Sequence, residues 1–250
     1  MYLRLIFKIC VFIAGFTAVF YILRVNNFFP PSQLSRNIPS LFGAISLIFS
    51  IISAFIVQSQ WHKWDNFFDA AMSEVNMLRQ LNIVAHHFPT KTKNTIRTHI
   101  YNYLNTLIKE SKRYPKKELR SQVVEDALVQ LEDVLFTASL KNPQAGHLAM
   151  GFLNRAMEHR ELKIQNGSHH LPMGLRLFIL FATSCMIFSA FFVAYDSLFS
   201  SYVFTLIIGL LSYGIYLLID DLDHPYQPGN WHLTLHAYKE LAAEIKKKIF

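Results

Sequence analysis

The chain has 250 residues, 52% of them hydrophobic and only 16% charged, with a formal net charge of +7. Its mean hydropathy is +0.24, which excludes an ordinary soluble domain, whose charged share is about 25%. No basic run is interleaved with aromatics, so a groove for single-stranded nucleic acid is excluded as well. The two cysteines, Cys10 and Cys185, lie in apolar runs and exclude a disulfide framework.

The first apolar run, Leu3 to Leu23, opens with Arg4 and Lys8. It is long enough to cross a bilayer, which takes about 20 residues. No small-residue cleavage site follows it, so it reads as a span rather than a signal peptide. A second run extends from Ile38 to Val57. It carries a small and polar stripe, Gly43, Ser46, Ser50, Ser53 and then Gln60, among bulky Phe49, Ile52, Phe55 and Ile56. Small residues in a span serve close helix packing. Hydroxyls beside apolar bulk also suit a pore wall with a dewetting constriction. The two uses need different faces.

After Val57 the chain runs on without Gly or Pro to Phe88. The pattern Phe68, Met72, Val75, Leu78, Leu81 keeps helical spacing. One helix of about 50 residues, roughly 75 Å at 1.5 Å per residue, is therefore expected. Trp61 and Trp64 fall where an interfacial aromatic belt would lie. Pro89 ends it. Further helices are expected near 91–113, with Ile96, Ile100, Tyr103 and Leu107 on one face, then 117–140 and 145–165, separated by "RYPKKE" and "KNPQAG". A third span covers 171–194, with Arg176 one turn inside, able to snorkel. A fourth covers 198–219, and a tail helix is expected over 231–249. No strand pattern is present.

The fold class is all-α: membrane helices at 1–60 and 171–220, a cytoplasmic helical bundle at 61–170, and a cytoplasmic turn and helix at 221–250. Lys and Arg concentrate in the middle region and tail, while the connection 24–37 holds only Arg24 and Arg36. Both termini and the bundle are then cytoplasmic. His232 and His236 have the spacing of a ligand pair but no third partner nearby, so no metal site is expected there. No nucleophile elbow or phosphate-binding glycine loop is present, and an enzyme is not expected.

The fourth span ends in "LLIDDLDHPYQPGNW", with Asp220, Asp221 and Asp223 beside helix-end carbonyls. Acids there oppose the helix dipole. Asp223 suits a cap for the following turn or helix. Asp220 and Asp221 suit either an oxygen-rich cation site, with Asp223, or a dock for Arg and Lys of the bundle. Pro225 stops the helix, and Tyr226 follows it.

These residues carry a resemblance. "DLDHPY" after the last span is similar to the Asp-Leu-Asp-Arg-Pro-Phe signature of the bacterial bestrophin-like domain proteins. "HRELKIQNGSHHLPMGLRLFIL" (159–180) looks like that family's approach to its third span. "FIVQSQWHKWDNFFDAAMSEVNMLRQL" (55–81), including Glu74, resembles its extension of the second. The resemblance implies a homo-oligomer, pentameric in bestrophins, in the bacterial inner membrane. It implies that the second span lines a pore for inorganic ions, with Ser46, Phe49, Ser50, Ile52, Ser53, Phe55 and Ile56 as the pool for lining and neck. His224 stands where the pattern has Arg, and Tyr226 where it has Phe. The acidic run of calcium-gated bestrophins is missing, so calcium gating is not implied. The expected function is an oligomeric ion channel. The alternative is a non-conducting membrane scaffold or sensor whose bundle binds a protein partner.

Overall fold

Proline marks most of the described breaks in this chain, at Pro89, Pro143, Pro172 and Pro225, and the helices between them are long. The protein is described by a computed structural model over residues 2–26, 38–113, 121–168, 170–193, 197–226, 231 and 235–249. Among these the regular elements are α1 (Tyr2–Val25), α2 (Ile38–Val84), a 3-10 turn (Ala85–His87), α3 (Thr90–Arg113), α4 (Gln122–Lys141), α5 (Pro143–Ser168), α6 (Met173–Ala190), α7 (Leu198–Leu222) and α8 (His236–Ile249). No strand occurs among the described residues.

α2 is the uninterrupted helix the sequence predicts, 47 residues long. It closes through the 3-10 turn onto Phe88, whose φ of -96 and ψ of 157 are extended. That is the conformation a residue before proline favours. Among the described residues four helices are long and apolar enough to cross a membrane: α1, α2, α6 and α7.

Two compact units divide the chain. The first holds α1, α2 as far as His62, α6, α7 and Trp231. Here α7 packs on both α6 and α1. Ile56 of α2 meets Ile179 of α6 and Ile219 of α7 in one buried node. α1 is joined to α7 by rings: Phe12 stacks on Tyr213 with centroids 4.4 Å apart, and Phe20 meets Tyr202 edge-on at 5.3 Å. Thr17 and Tyr202 share a hydroxyl hydrogen bond of 2.9 Å. Gly209 leaves room for the Phe16 ring, which would stand 3.1 Å from a Cβ there. α6 is shorter than the run 171–194, because Pro172 sets its start and a turn at Phe191 ends it.

The second unit holds α2 from Lys63, the 3-10 turn, α3, α4, α5, Pro225, Tyr226 and α8. Its core gathers Leu78, Leu81, Ile100, Leu104, Leu131, Leu135, Leu153 and Leu241. The break expected at "KNPQAG" is a single residue. Asn142 accepts the Ala145 N–H at 3.3 Å and caps α5, and Pro143 takes the first helical position, where its missing N–H costs nothing. Gly146 then sits inside α5 against Ser139 of α4, where a Cβ would collide with backbone. α5 also runs past 165 to Ser168. Gly167 permits this, because the Tyr226 ring occupies the space of its Cβ. α8 starts at His236 and buries Tyr238, Leu241, Ala242 and Ile245. The expected start of the α4 helix at 117, the end of the third span at 194 and the tail residues 232–234 lie outside the described residues.

Candidate functional site

The membrane part of α2 has three faces, each at steps of three and four. Ser46, Phe49, Ser53, Ile56 and Gln60 form the inner face. Phe49, Ser53, Ile56 and Gln60 are buried, and Ser46 is half-buried with its hydroxyl on the Phe42 carbonyl at 2.7 Å and the Met186 sulfur at 3.6 Å. Ile52 packs beside Ile56 in the node with α6 and α7. Gly43, Leu47, Ser50, Ala54 and Gln58 form a second face, and Ala44, Ile48, Ile51, Phe55 and Ser59 a third; all ten are exposed. Phe55 is 73% exposed. The structure thus splits the small and polar stripe read from sequence. Gly43 and Ser50 face out, while Ser46, Ser53 and Gln60 face in.

At the end of α7 each acid has its own partner. Asp220 accepts a 2.7 Å hydrogen bond from Arg176 of α6. Both side chains are about one-third exposed. The dock expected for bundle cations is therefore served, at Asp220, by the arginine expected to snorkel. One turn into α6, Arg176 lies close enough to the foot of α7 to offset a carboxylate at a helix C-terminus. Asp221 accepts the Trp231 N–H at 3.3 Å. Asp223 is buried, and its Oδ1 accepts the Leu171 N–H at 2.6 Å. It therefore caps the approach to α6, the preceding membrane helix. Two imidazoles flank it. His170 Nδ1 is 3.0 Å from the Asp223 carbonyl, and His224 Nδ1 is 2.8 Å from the Asp220 carbonyl.

A third polar group lies in the core of the bundle unit. Glu74 of α2, Tyr103 of α3, Lys163 of α5 and Tyr238 of α8 are all fully buried or nearly so. Lys163 donates to Glu74 and lies 3.0 Å from the Tyr238 hydroxyl. Tyr103 donates to the other Glu74 oxygen, and Tyr238 donates to Glu74 at 2.8 Å. Burial pushes the Lys163 ammonium below the ordinary lysine value, with Glu74 pulling the other way. Burial, then the neighbouring Glu74 carboxylate, pushes both tyrosines well above theirs. The phenols stay neutral and can only donate to Glu74. Four helices are tied through one carboxylate.

Residues 10–229 match the Bestrophin-like domain family. The chain belongs to that family. A crystal structure of a bacterial bestrophin homologue from Klebsiella pneumoniae is similar over 98% of this chain and 97% of its own, at 12% identity and a TM-score of 0.70. A singly substituted form of the Klebsiella pneumoniae homologue matches over 98% and 100%, at 10% identity and a TM-score of 0.77. A membrane-protein variant matches over 98% and 96%, at 12% identity and a TM-score of 0.75. No curated protein matches the chain.

In this bestrophin-like chain the departures from the signature have local accounts. Tyr226, in the place of Phe, keeps an edge-on ring contact with Phe67 at 5.1 Å, and its hydroxyl donates to the Lys163 carbonyl at 3.3 Å. Pro225 is buried just after α7 ends at Leu222. His224, in the place of Arg, turns its ring toward His170, with centroids 5.2 Å apart. The residues that sequence reasoning missed are Lys163, Tyr238 and His170. A signal was present for the buried quartet: Glu74 stands three after Ala71 and four before Leu78, at the centre of a buried face. A lone acid there needs a cation. Nothing in the spacing of His170 pointed to Asp223, because 53 residues separate them.

Proposed function

We propose that this membrane protein is the subunit of an oligomeric ion channel, a pentamer by analogy with bestrophins, that moves inorganic ions and performs no chemical step. The single observation that carries the reading is the family match together with a fold shared along nearly the whole chain. The pore runs along the membrane part of α2. Its inner face is consumed within the protomer, so the two exposed faces serve the axis and the neighbouring subunits. The small face, Gly43, Ser50 and Ala54, suits close packing on a second copy, since small residues let membrane helices approach. The apolar face, Ile48, Ile51 and Phe55, forms the neck, where apolar side chains gate by dewetting. Of the pool named from sequence, Phe55 is then a neck residue and Ser50 an interface residue, while Ile52 and Ile56 hold α2 to α6 and α7 and Phe49 and Ser53 are buried within the protomer. The bundle and both ends of the chain lie on the cytoplasmic side of a bacterial inner membrane, as the concentration of Lys and Arg dictates.

Bilayer recording of the purified assembly tests this, with Phe55→Ala and Phe49→Ala as a matched pair. The expected result is a multi-subunit conducting particle in which Phe55→Ala alters conductance or ion preference. Phe49→Ala should lower thermal stability and leave ion preference unchanged. A monomer in lipid, or a conductance indifferent to Phe55→Ala, overturns the pore assignment. A sealed oligomer would favour the scaffold or sensor that binds a protein partner through its bundle.

A further inference from the structure

His170, Asp223 and His224 bring one nitrogen from each ring and one carboxylate oxygen within 4.8 Å of one another. The three come from the segment entering α6 and the turn leaving α7. We infer that they form a binding site for a late first-row divalent metal ion, with zinc as the ion of choice.

The donor set argues for that class. Two imidazoles and one carboxylate are the ligands Zn²⁺ prefers in sites with an open fourth position. A hard cation such as Ca²⁺ takes six to eight oxygens. The outer contacts match those of ligating histidines, which donate their other ring N–H to a carbonyl or carboxylate. The Asp220 carbonyl, 2.8 Å from His224 Nδ1, can only accept. It therefore fixes Nδ1 as the protonated nitrogen and leaves the Nε2 lone pair for a metal. The Asp223 carbonyl, 3.0 Å from His170 Nδ1, fixes the proton on that nitrogen in the same way and leaves its Nε2 lone pair for the metal, on a side chain that is 56% exposed. Asp223 is held in place by its other oxygen, which accepts the Leu171 N–H. A metal here would draw together donor atoms that already lie within 4.8 Å of one another, and it would clamp the start of α6 to the end of α7. The cluster shares Asp223 with the cation site expected at Asp220, Asp221 and Asp223 but replaces the other two acids, whose side chains meet Arg176 and the Trp231 N–H, with two imidazoles. It goes beyond the channel reading and stands whether or not the protein conducts.

The test uses the full chain without a polyhistidine tag, purified in detergent, and titrates it with Zn²⁺, Co²⁺ and Ca²⁺. The expected result is one Zn²⁺ per chain whose affinity falls by at least about ten-fold in His170→Ala and again in His224→Gln, the size of change seen on disturbing a metal's surroundings. Co²⁺ in the unaltered protein should give the intense visible bands of a four-coordinate ion, and these should be lost in both variants. The metal-free melting temperature of His170→Ala checks that the fold survives, since that side chain is exposed. Zinc binding of unchanged stoichiometry and affinity in both variants would place the ion on other histidines and overturn the site. Equal displacement of Zn²⁺ by Ca²⁺ would overturn the assigned metal class.

Discussion

The bundle core and the foot of α7 contain the same ingredients, a carboxylate, a cation and hydrogen-bonding neighbours, in opposite surroundings. Glu74 and Lys163 are 1% and 0% exposed, and two phenols complete their coordination. Asp220 and Arg176 are 33% and 38% exposed, and water reaches both. The difference teaches what each charge is for. Inside the core the two charges have strong Coulomb attraction but were expensive to desolvate, so the pair holds α2, α3, α5 and α8 in one arrangement more than it stabilises them. At the foot of α7 desolvation is small and so is the attraction, and the pair offsets an unfavourable helix dipole.

Breaking the buried pair gives the largest expected effect. Lys163→Met leaves the buried Glu74 carboxyl without its cation, and should destabilise the bundle by about 3–5 kcal/mol. Denaturant unfolding followed by hydrogen exchange of the bundle amides measures it. Adding Glu74→Gln should recover much of the loss, because an amide is cheaper to bury than an unpaired carboxylate. If the double variant is no better than the single one, the cluster is not coupled as described. A middle effect is expected where a buried carboxylate makes one decisive bond. Asp223→Ala removes the acceptor of the Leu171 N–H and should cost about 0.5–2 kcal/mol, the range for a lost helix cap. Faster amide exchange confined to the start of α6 is the readout, and uniform loosening of the whole chain would argue for a broader role. The smallest effect belongs to the exposed pair. Asp220→Asn or Arg176→Gln should change stability by less than about 1 kcal/mol, and high salt should shrink the difference further. A larger, salt-independent loss in either would erase the contrast between the two clusters.

The apolar architecture was legible in the sequence because solvent dictates it. Runs the length of a bilayer have few fates, and the absence of Gly and Pro between Val57 and Phe88 left α2 no place to stop. Local turn chemistry was less legible. "KNPQAG" looks like a six-residue break, yet Asn142 as cap and Pro143 at the first helical position make a hairpin of α4 and α5 in one residue. Least legible were the long-range polar meetings. Asp223 finds Leu171 and Lys163 finds Glu74 across 52 and 89 residues, and periodicity carries no trace of such separations. The small and polar stripe of α2 shows a further limit. A helix face drawn from residue type alone joined Ser50 to Ser53, and the edge of the buried face falls between them, leaving Ser50 exposed and Ser53 buried.

The aromatic ladder between α1 and α7 has its own consequence. Hydrocarbon chains are as apolar as the side chains they surround, so no solvent force presses one membrane helix against another. α1 therefore rests on ring geometry at Phe12, Phe16 and Phe20 and on the Thr17–Tyr202 hydroxyl bond, and only 11% of its apolar window is covered by the rest of the chain. Its partner is synthesised almost 200 residues later. During biogenesis the rings of the first helix gain Phe191 only at the end of α6 and Tyr202 and Tyr213 only with α7, so a chain shortened before Tyr202 would keep α1 on the Phe191 contact alone, without its hydroxyl bond and its stacking on α7.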